Sequence, residues 1–180
     1  MKFDRISSSY PQIVYMQYFF MDSNLIVTSD RTILYAKKID RDYREAFMLS
    51  RLLHPNIPQI HGIIKWKNTY LLEQFCIGCS LAQWIRRTNE GSKEWILKEL
   101  ERTVQYLHSR KVIHADIKPE NIIINEKERH LWLIDYGESG FLNLRCTNRG
   151  TPGFRLPDCN VYSYQMDWYS FQKIQKLLNK

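Results

Sequence analysis

Between Val112 and Gly137 the chain reads VIHADIKPEN, then three isoleucines from Ile122 to Ile124, then, after a polar interval, LWLIDYG. An acid at Asp116, a lysine two places on and an amide five places on share one short loop between apolar segments. That loop offers a base, a cation and a metal ligand together, and Asp135 supplies a second acid just ahead of a glycine. The rest of the chain has to be arranged so that these groups meet.

The pattern H-x-D-x-K-x-x-N followed by D-x-G resembles the catalytic loop and metal-binding triplet of eukaryotic-type serine/threonine protein kinases. The resemblance implies an α+β chain. A small antiparallel β-rich N-terminal lobe, to about residue 75, would be followed by a mainly helical C-terminal lobe over 76–180, shortened after its central helix. Both lobes would form a single kinase-like domain spanning residues 1–180.

Composition agrees with a folded chain. Of 180 residues 44% are hydrophobic and only seven are glycine, so general disorder is not expected. The net charge of +7 is spread from Lys2 to Lys180 without a block of like charge, which reads as a basic surface and leaves nucleic acid an unlikely partner. Cys76 and Cys79 have C-x-x-C spacing, but no second pair accompanies them, and Cys146 and Cys159 stand apart. Reduced thiols of an intracellular protein are expected. No stretch reads as a secretory signal or a membrane span.

Three β-like runs open the chain: Ile13 to Phe20, Leu25 to Thr28 and Thr32 to Ile39. In a kinase the first turn is the glycine-rich cover over the ATP phosphates, yet Phe19 to Asn24 contains no glycine, so this turn would grip phosphates poorly or differently. A helix is expected from about Asp40 to Leu53, strands over Ile57 to Ile64 and Thr69 to Phe75, and a helix opened by the capping-box spacing Ser80-Leu-Ala-Gln83. Ser92 would cap a further helix to about His108, with Ile96, Leu100, Val104 and Leu107 on its core side.

The remaining assignments follow from the kinase resemblance. Leu34-Tyr-Ala36-Lys37-Lys38 is similar to V-A-I-K, which implies that Lys38 pairs the ATP phosphates and Ala36 roofs the adenine, with Lys37 the weaker candidate for the lysine. Glu45 would hold that lysine. Leu72 would face the base, the backbone from Glu73 to Phe75 would contact adenine, and Ile123 would line the nucleotide pocket. Asp116 would receive or orient the substrate hydroxyl proton, Lys118 would steady the γ-phosphate, and Asn121 with Asp135 would ligate Mg²⁺. Lys118 and the segment Gly150-Thr151-Pro152 resemble serine/threonine rather than tyrosine kinases, with Thr151 near Asp116 and Lys118.

Ala115 stands where the family carries an arginine that receives the activation-loop phosphate, so activity independent of loop phosphorylation is expected. Asp167 would anchor the catalytic-loop backbone. Trp168, Phe171, Ile174 and Leu178, on a final helix within 164–178, would be thinly covered and would repack or dock a partner protein or a second copy. Three functional readings stay open on these residues. One is an ATP- and Mg²⁺-dependent protein kinase of the minimal kind found in viruses and injected bacterial effectors, acting on a host protein in the host cytoplasm. The second is a pseudokinase that occupies a host kinase as a decoy or inhibitor. The third is a small-molecule or nucleic-acid kinase.

Overall fold

A computed structural model of the chain describes residues 25–27, 33–39, 43–66, 68–87, 93–146 and 150–179. The expected strand Ile13 to Phe20, the glycine-free turn Phe19 to Asn24, and the caps Asp40 and Ser92 lie outside these residues. The described part begins with β1 (Leu25–Val27) and β2 (Ile33–Ile39), followed by α1 (Arg44–Leu49), β3 (Ile60–Trp66) and β4 (Asn68–Gln74). The four strands form one antiparallel sheet in the order β1-β2-β4-β3.

Pairing fixes what each face of this sheet carries. Ala36 lies opposite Leu72, and Lys37 lies opposite Leu71. Because side chains alternate along a strand, Leu34, Ala36 and Leu72 share one face, where they form a small apolar cluster with Tyr70. Lys37, Leu71 and Glu73 share the other, and Leu71 packs with Met48 and Leu49 of α1 in the main core.

α1 is shorter than its sequence suggests. It covers Arg44–Leu49, because the chain tightens as Arg51 and Leu52 donate to the carbonyls of Met48 and Leu49. The Ser50 hydroxyl donates to the Phe47 carbonyl, competing with helix continuation. His54 then precedes Pro55, which disfavours helical backbone. Strands β3 and β4 in turn run further toward each other than expected, to Trp66 and from Asn68.

Beyond the sheet, β5 (Cys79–Ser80) leads into α2 (Leu81–Arg87), then come α3 (Glu94–Ser109) and β6 (Val112–Ile113). The capping box forms at α2: Gln83 N–H donates to Ser80 Oγ and Ser80 N–H donates to Gln83 Oε1, both at 3.2 Å. A 3₁₀ turn (Pro119–Asn121) precedes β7 (Ile122–Asn125), β8 (His130–Leu133), β9 (Gly140–Phe141) and α4 (Tyr164–Leu178). The amphipathic side of α3, with Ile96, Leu100, Val104 and Leu107, is fully buried.

α4 takes the first of the two outcomes expected for it, packing against its own chain. Phe171, Ile174 and Leu178 are buried in the main core and Trp168 packs against it, with α4 lying on α3. The helix meets its own chain, so the apolar face invoked for a docked partner is already covered. Asn56, buried between the two parts of the molecule, ties them together. Its side-chain amide donates to Thr103 Oγ1 (3.0 Å) and Glu99 Oε2 (3.1 Å) on α3, and its carbonyl accepts Leu133 N–H (2.9 Å).

Candidate active site

The face of β2 that looks toward α1 presents Lys37. Its ammonium lies 2.9 Å from Glu45 Oε2 and 2.8 Å from Asp135 Oδ1, joining strand, helix and the loop after β8. Burial works against the charge on Lys37, but the two carboxylates outweigh it and hold the ammonium's pKa up. Asp135 answers in kind: burial opposes its charge, while the hydrogen bond and charge of Lys37 prevail and keep its carboxyl below the usual range. Glu45 Oε1 also accepts the N–H of Tyr136 at 3.0 Å, so one buried glutamate positions both the lysine and the segment that carries Asp135.

This arrangement reassigns the lysine. Lys38 lies on the same sheet face as Ala36, opposite Tyr70, and is exposed, whereas Lys37 makes the contacts expected for Lys38. Ala36 and Leu72 are likewise on the far face, packed against each other, and do not look toward Lys37 and Asp135. The side chain of Glu73 does. It is 7% exposed, its Oε2 has no hydrogen-bond partner among the described residues, and burial, then the charge of Glu45, push its carboxyl up to about 7 against the pull of Lys37. Phe75, just past β4, is half-buried, and Ile123 is half-buried beside Gly78, on the side of β7 opposite the core residues Ile122 and Ile124.

The second half of the site is the loop after β6. Asp167 of α4, fully buried, accepts the N–H groups of His114 (3.0 Å) and Ala115 (2.9 Å), and its Oδ2 also meets His108 Nε2 at 3.0 Å. Two donors aimed at one carboxylate require a sharp bend, which Ala115 supplies at φ 67°. His114 is a strut: its Nε2 meets the Ile134 carbonyl at 3.1 Å, its Nδ1 accepts Asp116 N–H at 3.3 Å, and burial lowers its pKa, as suits a neutral ring.

These supports deliver Asp116. Its Oδ1 accepts both the N–H (2.8 Å) and the hydroxyl (2.7 Å) of Thr151, and its Oδ2 accepts Lys118 Nζ (2.7 Å) and Asn121 Nδ2 (3.1 Å). Lys118 also donates to Thr151 Oγ1 at 2.8 Å. Thr151 thus shows an alcohol oxygen held between the carboxylate and the ammonium. Gly150, at φ 64°, brings Thr151 in: a Cβ there would collide with the Ala115 carbonyl.

Asp116, Lys118, Asp135, Thr151, Glu138 and Arg155 line one open cleft of about 430 Å³. Among the described residues no cluster of three His, Cys, Asp or Glu side chains could hold a metal by protein ligands alone. The donor set fits Mg²⁺ nonetheless. The side-chain amide of Asn121 spends its N–H on Asp116, leaving its oxygen, and the Asp135 side chain is 43% exposed with Oδ2 beyond the Lys37 contact. Two hard oxygen ligands are what Mg²⁺ takes from a protein when phosphates and water complete its shell.

The profile of the protein kinase domain family matches residues 27–174. The chain belongs to the protein kinase family. Among its relatives, the cAMP-dependent protein kinase catalytic subunit of Schizosaccharomyces pombe is 28% identical over 153 residues, covering 80% of this kinase chain and 30% of that protein. The human serine/threonine-protein kinase ULK3 is 28% identical over 182 residues, covering 93% of the chain and 38% of the relative. The chain thus spans about a third of the length of these curated relatives. The structure of the Cydia pomonella granulovirus kinase PK-1 shares its fold, with a TM-score of 0.71 at 19% identity over 87% of this chain and 64% of that one. No helix among the described residues is long and apolar enough to cross a membrane.

Sequence reasoning missed Asn56 and the side chain of Glu73. A polar residue in the apolar setting Leu52 to Ile57 was the available signal for the first. For Glu73 the signal was an acid following two leucines in a buried strand.

Proposed function

We propose that this kinase domain transfers the γ-phosphoryl group of ATP to a serine or threonine hydroxyl of another protein. The observation that carries the reading is Lys37, whose ammonium bridges Glu45 and Asp135, the latter a wall residue of the cleft that also holds Asp116 and Lys118. Phosphoryl transfer needs positioning and charge stabilisation more than covalent chemistry from the protein, and these groups supply both.

In this reading Lys37 binds nucleotide phosphate oxygens, and Glu45 keeps it extended. Asp116 receives the substrate hydroxyl proton as the hydroxyl oxygen bonds to the γ-phosphorus and the bond to the ADP oxygen breaks. Lys118 offsets the negative charge on the transferring group, and Thr151 fixes the carboxylate of Asp116. Asn121 and Asp135 would hold Mg²⁺, which when bound neutralises phosphate charge. Phe75 and Ile123 would contact the base. With Ala115 where the family's phosphate-receiving arginine stands, transfer should proceed without phosphorylation of the loop between Gly137 and Gly150. A host protein as target and the host cytoplasm as site of action are proposed by analogy with compact viral kinases.

The test is transfer of labelled γ-phosphate from Mg-ATP to generic and cellular proteins by the wild type, Asp116→Ala and Asp135→Ala. Label on serine and threonine with the wild type, lost in both variants, supports the reading. No incorporation by a folded wild type that still binds a protein partner would favour the decoy.

A further inference from the structure

Arg155 is a cleft-lining cation that neither the nucleotide nor the phosphoryl chemistry uses. It is exposed and lines the same cleft as Asp116 and Lys118, and no hydrogen bond or ion pair engages its guanidinium among the described residues.

Its placement is set from both sides. Arg155 N–H and Phe154 N–H both donate to the Thr151 carbonyl, at 3.0 and 3.1 Å, closing a turn whose first residue is clamped onto Asp116 and Lys118. At the other side Phe154 packs against the main core and its carbonyl accepts the Ser170 hydroxyl of α4 at 2.7 Å. One tight turn therefore carries both the threonine that touches the base and the free arginine. A hydroxyl presented to Asp116 would have its flanking residues within the cleft that Arg155 also lines.

We infer that Arg155 selects protein substrates carrying an anionic side chain, carboxylate or phosphate, within two residues of the acceptor serine or threonine. An unpaired guanidinium at an open cleft satisfies its fork of donors best with a planar carboxylate or a phosphate, whereas a lysine or arginine on the substrate would meet repulsion from Arg155 and Lys118 together. The inference rests on the protein-substrate reading above and names the class of sequence that reading leaves open.

The experiment uses serine peptides with alanine, glutamate, phosphoserine or lysine in turn at the two positions on each side of the acceptor. Binding is read by fluorescence anisotropy and transfer by kcat/KM, with wild type, Arg155→Ala, Arg155→Lys and Arg155→Glu. Expected is a preference of about tenfold or more for an anionic over an alanine peptide at one flanking position, near loss of that ratio in Arg155→Ala, partial recovery in Arg155→Lys and inversion toward lysine peptides in Arg155→Glu. The glutamate and phosphoserine arms tell carboxylate from phosphate. Equal binding of anionic and neutral peptides by the wild type, or a preference that survives Arg155→Glu in a protein with unchanged melting, would overturn the inference. Anionic preference in binding with no transfer from ATP would leave Arg155 in this role and remove the catalytic reading instead.

Discussion

Lys37 and Glu45 stand eight residues apart in the chain, with the ammonium 2.9 Å from both carboxylate oxygens, and this pair joins the sheet to the loop that carries Asp135. A short α1 suffices because Glu45 lies in its first turn, next to the strand that feeds it. Glu45 also accepts Tyr136 N–H, so its charge organises three elements at once.

Glu45→Gln should therefore lower kcat/KM for ATP by about tenfold or more, since an ionic hydrogen bond to Lys37 becomes a neutral one. Steady-state kinetics with varied ATP checks this. Unchanged kinetics would mean that Asp135 alone suffices to place the lysine.

Glu73 should make stability depend on pH. Lys37 on β2, Glu45 on α1 and Asp135 after β8 act on its buried carboxyl, whose pKa rises from 4.5 to about 7 on folding. Between these values the folded chain keeps a proton that the unfolded chain sheds, so stability falls as pH rises through the window, by about 3 kcal/mol in all. Urea unfolding at about pH 5 and about pH 8 should show this loss in the wild type and a smaller one in Glu73→Gln. Parallel behaviour of the two proteins would contradict it.

Tyr136 fills the core with its ring against His114, centroids 4.7 Å apart, while its hydroxyl is buried without a hydrogen-bond partner among the described residues. Tyr136→Phe should then raise stability by about 1 kcal/mol, since the unsatisfied group is removed and the ring is kept. A denaturation midpoint that falls on this substitution would show that the hydroxyl is engaged.

Asp167 accepts two buried backbone N–H groups, those of His114 and Ala115, in the loop after β6. Asp167→Ala strands both and should cost about 3 kcal/mol, whereas Asp167→Asn retains an acceptor oxygen and should cost less. Thermal melts of the two variants give the ordering. An Asp167→Ala protein as stable as the wild type would mean the loop finds other partners.

Much of this was legible because candidate-site groups close in sequence stay close in space. Asp116, Lys118 and Asn121 fall on one loop whose short span leaves them hydrogen-bonded to each other, and the amphipathic spacing of α3 and the Ser80–Gln83 box are local signals that tertiary contacts did not override. The lysine was harder. In Ala36-Lys37-Lys38 a one-residue change of register exchanges the faces of a strand, and a small residue two places before Lys38 suited the kinase pattern. The face was decided by pairing of β2 with β4, a contact that no local window contains. Which of the two outcomes α4 takes is likewise set at long range: α3 covers it from more than fifty residues earlier in the chain.

The most direct measurement compares Lys37→Met and Lys38→Met with the wild type for transfer of γ-phosphate from ATP to protein serine or threonine. Lys37→Met should lose about a hundredfold or more, because the proposed phosphate-binding charge is removed, while Lys38→Met should stay within about threefold of the wild type. Loss in Lys38→Met with activity retained in Lys37→Met would contradict the account.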